Sequence, residues 1–234
     1  MANSTSSGKA RPTTSWVANV SPFLVPTLLL LLALGVALLC VPKGILHLCL
    51  CDHHTPFLDV VLPFYSDMVN WLPYTVAVLL LLYRAGWSVF LAGDMLLTTL
   101  VVQPIKHLVR APRPLTWFAE NMPDVALPLT DGVRMHYWLS FPSGHTTTFF
   151  MLFFTLSLIA MTDNWRGKYL WSLLFFLLAI VGAYSRIYLS QHFALDVFAG
   201  IWAAILCTLL MYFVYVPKTI NSRFWTWNLR KLKK

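Results

Sequence analysis

The sequence predicts an all-α fold: a polytopic membrane helix bundle with six transmembrane helices and further helices along the interface. Two observations predict it. The 234 residues are 58% hydrophobic and only 11% charged, against roughly 25% charge in a soluble domain. The apolar excess falls in runs near the roughly 20 residues that carry a helix across a bilayer.

The spans are predicted at 22–42, 70–86, 88–108, 143–162, 169–188 and 192–216. The first run, from Pro22 to Val41, exceeds the roughly 7–15 apolar residues of a secretory signal, and no small-x-small cleavage site follows. It is therefore expected to stay as a span. Residues 44–68 carry Asp52, Asp59 and Asp67 and are too polar to cross; they suit one or two helices lying along the interface. A proline-containing loop is expected over 112–141. The chain thus divides into a polar tail (1–20), one membrane domain (21–216) and a basic tail (217–234).

A net charge of +8 would invite nucleic acid in a soluble protein, but the positions argue otherwise. With six spans, both tails and the loops at 84–87 and 162–168 share one side, which holds most of the 17 Lys and Arg. That side is expected to be cytoplasmic. The basic tail then meets an anionic leaflet, and no nucleic-acid partner is expected. The opposite side holds Lys43, Lys106, Arg110, Arg113, Arg134 and Arg186.

The four cysteines give no disulfide framework, and Cys49-Leu-Cys51-Asp52-His53-His54 fits no zinc spacing. No metal site is expected there. Asp94, deep in the third span, is expected to bind between helices. Trp71, Trp117, Tyr137 and Trp138 suit interface anchors.

Three segments at the outward ends of spans carry polar chemistry that is costly at membrane depth. Lys106, Arg110 and Arg113 stand at i, i+4 and i+7, a cationic stripe if the third span stays helical that far. Pro142-Ser143-Gly144-His145 opens the fourth span. Ser143 suits an N-cap, Gly144 lets a ligand approach the backbone, and free N–H groups at a helix start attract an anion. His192 and Asp196 lie one helical turn apart, so a carboxylate can fix the imidazole tautomer. Arg186 ends the fifth span, six residues before His192.

The three segments together resemble the type-2 phosphatidic acid phosphatase superfamily, whose pattern is K-x6-R-P, P-S-G-H and S-R-x5-H-x3-D. Lys106 to Pro114, Pro142 to His145, and Ser185, Arg186, His192 and Asp196 match at every position, within roughly residues 70–216. The resemblance implies that His192 is a nucleophile forming a phosphohistidine, and that Asp196 orients it. It implies that Lys106, Arg113, Arg186, Ser143 and the Gly144 N–H hold the phosphoryl oxygens. His145 then protonates the leaving oxygen and later activates water. No cofactor and no metal are implied. The expected activity is hydrolysis of lipid mono- or diphosphates, with undecaprenyl diphosphate, phosphatidylglycerol phosphate, phosphatidate and lipid A as candidate substrates. The short chain resembles bacterial members, which implies an inner membrane with the site on the periplasmic face and both termini cytoplasmic. A lipid phosphotransferase using the same site, or a non-enzymatic lipid transporter or scaffold, are the alternatives. The sequence leaves the oligomeric state open.

Overall fold

A computed structural model of the chain describes residues 15–228, so the outer parts of both tails lie outside the described residues. These residues form nine α-helices: α1 (Trp16–Cys40), α2 (Lys43–Cys51), α3 (Pro56–Asp67), α4 (Leu72–Tyr83), α5 (Ala85–Val109), α6 (Pro114–Asn121), α7 (Gly144–Thr162), α8 (Lys168–Tyr188) and α9 (Ala194–Thr219). A single 3-10 turn, Met68–Asn70, joins α3 to α4.

Helices α1, α5, α7, α8 and α9 are each long and apolar enough to cross a membrane. The second span differs from the expectation. Helix α4 has only 12 residues, about 18 Å at 1.5 Å per residue, which is short of a hydrocarbon core of about 30 Å. It makes a sixth apolar passage only together with α3, and the pair is bent by 56°. Trp71 and Pro73 lie at the bend. The expected interfacial stretch 44–68 therefore supplies α2 and α3, and Phe57, Val60 and Phe64 of α3 are each about 70% exposed, a surface suited to lipid.

Helix α7 is the core, with Phe149 to Thr155 and Ser157 to Met161 all buried. It packs against α8, α9, α1 and α5. Two small residues permit this closeness. A Cβ on Gly182 of α8 would collide with the Phe149 ring of α7, and one on Gly200 of α9 would lie 2.7 Å from the Ser143 carbonyl oxygen. At the far end of α7, Asp163 accepts hydrogen bonds from Arg84 Nη1, Tyr83 Oη and Trp87 Nε1, which ties the α4–α5 corner to the core. Residues after α9 fold back there too: Trp225 is buried against Trp87, and the Ala85 N–H donates to the Trp227 carbonyl.

Asp94 is fully buried, and its Oδ2 accepts from Thr208 Oγ1 of α9 at 2.6 Å. This is the expected link between helices. Among the described residues, no group of three His, Cys, Asp or Glu could hold a metal. His54 instead sits 2.8 Å from Asp59 Oδ1, and Tyr188 Oη donates to the same oxygen. These bonds fasten the start of α3 to the end of α8.

Candidate active site

The site forms where the C-terminal ends of α5 and α8 meet the N-terminal ends of α7 and α9. Each end is shaped by local chemistry. Helix α5 stops because Arg110 is left-handed (φ 47°), and Pro112 disfavours a helical residue before it. The predicted cationic stripe is thereby broken. Arg110 turns out to solvent, with its Nε donating to the His107 carbonyl. Lys106 stays on the helix and Arg113 returns by the backbone. Arg113 N–H donates to the Tyr137 carbonyl and Ser140 N–H to the Ala111 carbonyl, so the two sides of the 112–141 loop are paired at its base.

After α8 the chain makes a tight turn. Ser190 is left-handed (φ 49°), at a cost of roughly 1–2 kcal/mol for an L-residue. Surrounding bonds hold it. The N–H groups of Gln191 and His192 both donate to the Arg186 carbonyl at 3.0 Å. Ser190 Oγ donates to the Pro128 carbonyl and lies 3.3 Å from His47 Nε2. Burial pushes the His47 imidazole down to about 4, so at neutral pH it supports this turn as an uncharged ring.

His192 is 1% exposed. Its Nδ1 lies 3.5 Å from Asp196 Oδ2 and 3.4 Å from Ser140 Oγ. Ser140 Oγ donates to that same carboxylate oxygen at 2.5 Å, and the Phe193 N–H donates to it at 2.9 Å. The carboxylate is thus held primarily by Ser140 and the backbone, and both Ser140 and Asp196 address one face of the imidazole. Nε2 is left for chemistry. Burial, then the positive charges of Arg113, Arg186 and Lys106, hold the His192 imidazole well below its usual range. The ring is therefore neutral, the form in which a nitrogen lone pair can attack.

The cations are fixed in different ways. Lys106 Nζ donates to the Leu139 carbonyl at 2.9 Å. Arg113 donates through Nε to the Trp138 carbonyl, and through Nη1 to the carbonyl and Oε1 of Gln191. Arg186 is 6% exposed; its Nη1 donates to Ser66 Oγ of α3, while its Nε is buried with no partner.

A cavity of about 510 Å³ is lined by Lys106, Arg113, Gly144, His145 and His192, together with the apolar Val69, Pro73, Met95, Val102 and Met151. It therefore runs from cations and imidazoles to hydrocarbon. Ser143 and Asp196 do not border it. Ser143 is fully buried, its Oγ accepting from the Thr146 N–H and Oγ1, while its own N–H donates to the Asp196 carbonyl. It caps α7 and braces α9. Gly144 faces the cavity, and a Cβ there would come within 3.6 Å of Lys106 Cε. A second cavity, of about 410 Å³, includes Arg186, and both cavities reach His136, His145 and Asn70.

Three cations, a helix N-terminus and two imidazoles thus converge at one end of the bundle. The sequence profile of the PAP2 superfamily matches residues 87–220. The chain belongs to the PAP2 superfamily. No curated protein sequence matches it. Among solved structures, LpxE of Aquifex aeolicus is 26% identical with a TM-score of 0.57, covering 71% of this chain and 92% of that one. The PAP2-type phosphatidylglycerolphosphate phosphatase of Bacillus subtilis shares the fold, with 22% identity and a TM-score of 0.50, covering 88% and 100%. The PAP2 match begins at Trp87, so α1 to α4 lie before it. Yet α3 supplies Ser66, which holds Arg186, and the 3-10 turn after it supplies Asn70.

The PAP2 motifs marked Lys106, Arg113, Gly144, His145, Arg186, His192 and Asp196 in the sequence, and all of them converge at this end of the bundle. Ser140, Gln191, Ser66, Asn70 and His136 were not marked. Ser140 had one available signal: it lies two residues before Pro142, close enough to share that turn.

Proposed function

We propose that the protein is an integral membrane lipid phosphatase that removes phosphate from lipid mono- or diphosphates through a phosphohistidine on His192. One observation carries the reading: His192 and His145 share a cavity with Lys106, Arg113 and the Gly144 backbone, and that cavity continues into apolar walls. The phosphate sits among the cations while the chains stay against hydrocarbon.

In the first step His192 Nε2 attacks phosphorus, and an N–P bond forms as the bond to the leaving oxygen breaks. His145 gives that oxygen a proton. In the second step His145 takes a proton from water, whose oxygen attacks phosphorus and breaks the N–P bond. Inorganic phosphate leaves and His192 is restored. Lys106, Arg113, Arg186 and the N-terminus of α7 stabilise charge on the transferring phosphoryl group. Asp196, braced by Ser140, steadies the imidazolium character that grows on His192. The substrate enters from the outer leaflet, since the basic tail and short loops belong at the cytoplasmic side.

The test is phosphate release by purified protein in detergent with EDTA, offered undecaprenyl diphosphate, phosphatidylglycerol phosphate, phosphatidate and lipid A. Release by the wild type and none by His192→Ala is expected. Equal release by the variant contradicts the nucleophile. Loss of phosphate from the donor lipid that appears on an added acceptor lipid, with no inorganic phosphate released, makes the protein a phosphotransferase.

A further inference from the structure

Helix α2 lies before the PAP2 match, yet one face of it reaches the catalytic pair. Lys43 and His47 stand one helical turn apart on α2, so they share that face. Both meet the ring of Phe193, which is buried and directly follows His192 in the chain. Lys43 Nζ lies 3.8 Å from the centre of that ring and 5.0 Å from the centre of the Trp117 ring of α6. The His47 ring stands 5.1 Å from Phe193, and the Trp117 ring 5.6 Å from it. Gly44 permits the fit: a Cβ there would lie 2.6 Å from Met122 Sδ and 3.0 Å from the Trp117 ring. An ammonium over an aromatic face is attracted to it, so α2 and α6 fix where this charge sits.

Phe193 is in turn tied to Asp196, because its N–H donates to Asp196 Oδ2 at 2.9 Å. Among the described residues Lys43 makes no ion pair. The charge it faces is nevertheless that of Asp196: burial lowers the Lys43 pKa, and the carboxylate raises it in opposition. Lys43 borders neither cavity, whereas Lys106, Arg113 and Arg186 line them. Those three are also the cations that act on His192. The charges thus divide. Three cations meet the phosphoryl group, and a fourth serves the carboxylate.

The division matters once substrate binds. Asp196 is 4% exposed, and a buried carboxylate is costly without a positive partner. Lys106 and Arg113 also act on Asp196, but a bound phosphate shares both of them. Lys43 touches no phosphate and stays with the carboxylate.

We propose that Lys43 is a positioning residue for the reaction: its ammonium, seated on the Phe193 ring, keeps Asp196 ionised beside His192 while the phosphoryl group occupies the other cations. The inference rests on the phosphatase reading above and adds a residue that the three superfamily motifs do not contain.

The test is steady-state phosphate release by the full-length protein, with whichever of the four lipids above the wild type hydrolyses fastest. Lys43→Met keeps an apolar stem against Phe193 and removes the charge. Lys43→Arg keeps the charge. Lys43 is an exposed residue, so solvent screens part of its effect. Lys43→Met is expected to lower kcat about three- to tenfold, between the effect of a surface pair and that of a buried one, with KM within about twofold. Lys43→Arg should stay within about twofold of wild type in both. In an Asp196→Asn background, Lys43→Met should cost less than about twofold more, because the charge it served is gone. Unchanged kcat in Lys43→Met, equal loss in Lys43→Arg, or a full further loss in the Asp196→Asn background overturns the proposal. So does a raised KM at unchanged kcat, which would make Lys43 a recruiter of anionic substrate. Thermal melts accompany each variant, with Lys43→Gln as a second neutral replacement; failure of both neutral variants to fold makes Lys43 structural and overturns the proposal too. Folded wild type that releases phosphate from none of the four lipids overturns the phosphatase reading itself, and this proposal with it.

Discussion

Replacing Ser140 with alanine removes the hydroxyl that donates to Asp196 Oδ2 at 2.5 Å and lies 3.4 Å from His192 Nδ1. A hydrogen bond to a charged group contributes about 1.5–3 kcal/mol. If that interaction is needed to hold the carboxylate against the imidazole as charge develops, kcat falls by about 10- to 150-fold. Ser140 is fully buried but borders neither cavity, so KM should change little. The assay is steady-state phosphate release by Ser140→Ala, Asp196→Ala and the double variant, with thermal melts to confirm folding. The two losses should be strongly non-additive, because both residues act on one imidazole. A Ser140→Ala enzyme within twofold of wild type, or additive losses in the double variant, would refute the idea that Ser140 braces the carboxylate.

Four further outcomes follow from the geometry. Gly200→Ala should lower both melting temperature and kcat, since its Cβ would sit 2.7 Å from the Ser143 carbonyl oxygen; overpacking of this kind costs about 1–3 kcal/mol, and unchanged melting would contradict the close α7–α9 contact. Gln191→Ala should raise KM several-fold by removing the Oε1 acceptor of Arg113 Nη1, and an unchanged KM would show that the backbone carbonyls, that of residue 191 included, hold the guanidinium alone. The His192 pKa is depressed by burial and by the cations, so below its ordinary value of 6.5 the unfolded chain binds a proton that the folded one refuses. Stability should therefore fall as pH drops through that value, while a neutral nucleophile persists below it. In Lys106→Ala the acid limb of kcat/KM should move upward, toward 6.5; a downward move would reverse the sign of the electrostatic account.

The sequence made the bundle legible because apolar runs of span length leave few alternatives, and it made the motif residues legible because their spacing places them at helix ends. Other features depend on tertiary geometry. Helix α4 looks like a full span by hydropathy, but it ends after 12 residues at Arg84, and α3 must complete the passage. The Lys106–Arg110–Arg113 stripe assumed a continuing helix, and the left-handed Arg110 ends it. Ser140, Gln191 and Ser66 each act by holding another site residue. Ser66 lies 120 residues from the Arg186 it meets, and no local pattern reports such a pairing. His136 and Asn70 face the site only because the long loop and the α3–α4 bend return to it.

The central claim is that His192 carries the phosphoryl group. The most direct measurement is mass spectrometry of enzyme quenched in alkali during turnover, since N–P bonds survive base. His145→Ala, which slows hydrolysis of the intermediate, should show phosphate on His192, and His192→Ala should show none. Phosphate on another residue, or turnover in His145→Ala with His192 unmodified throughout, would contradict the mechanism.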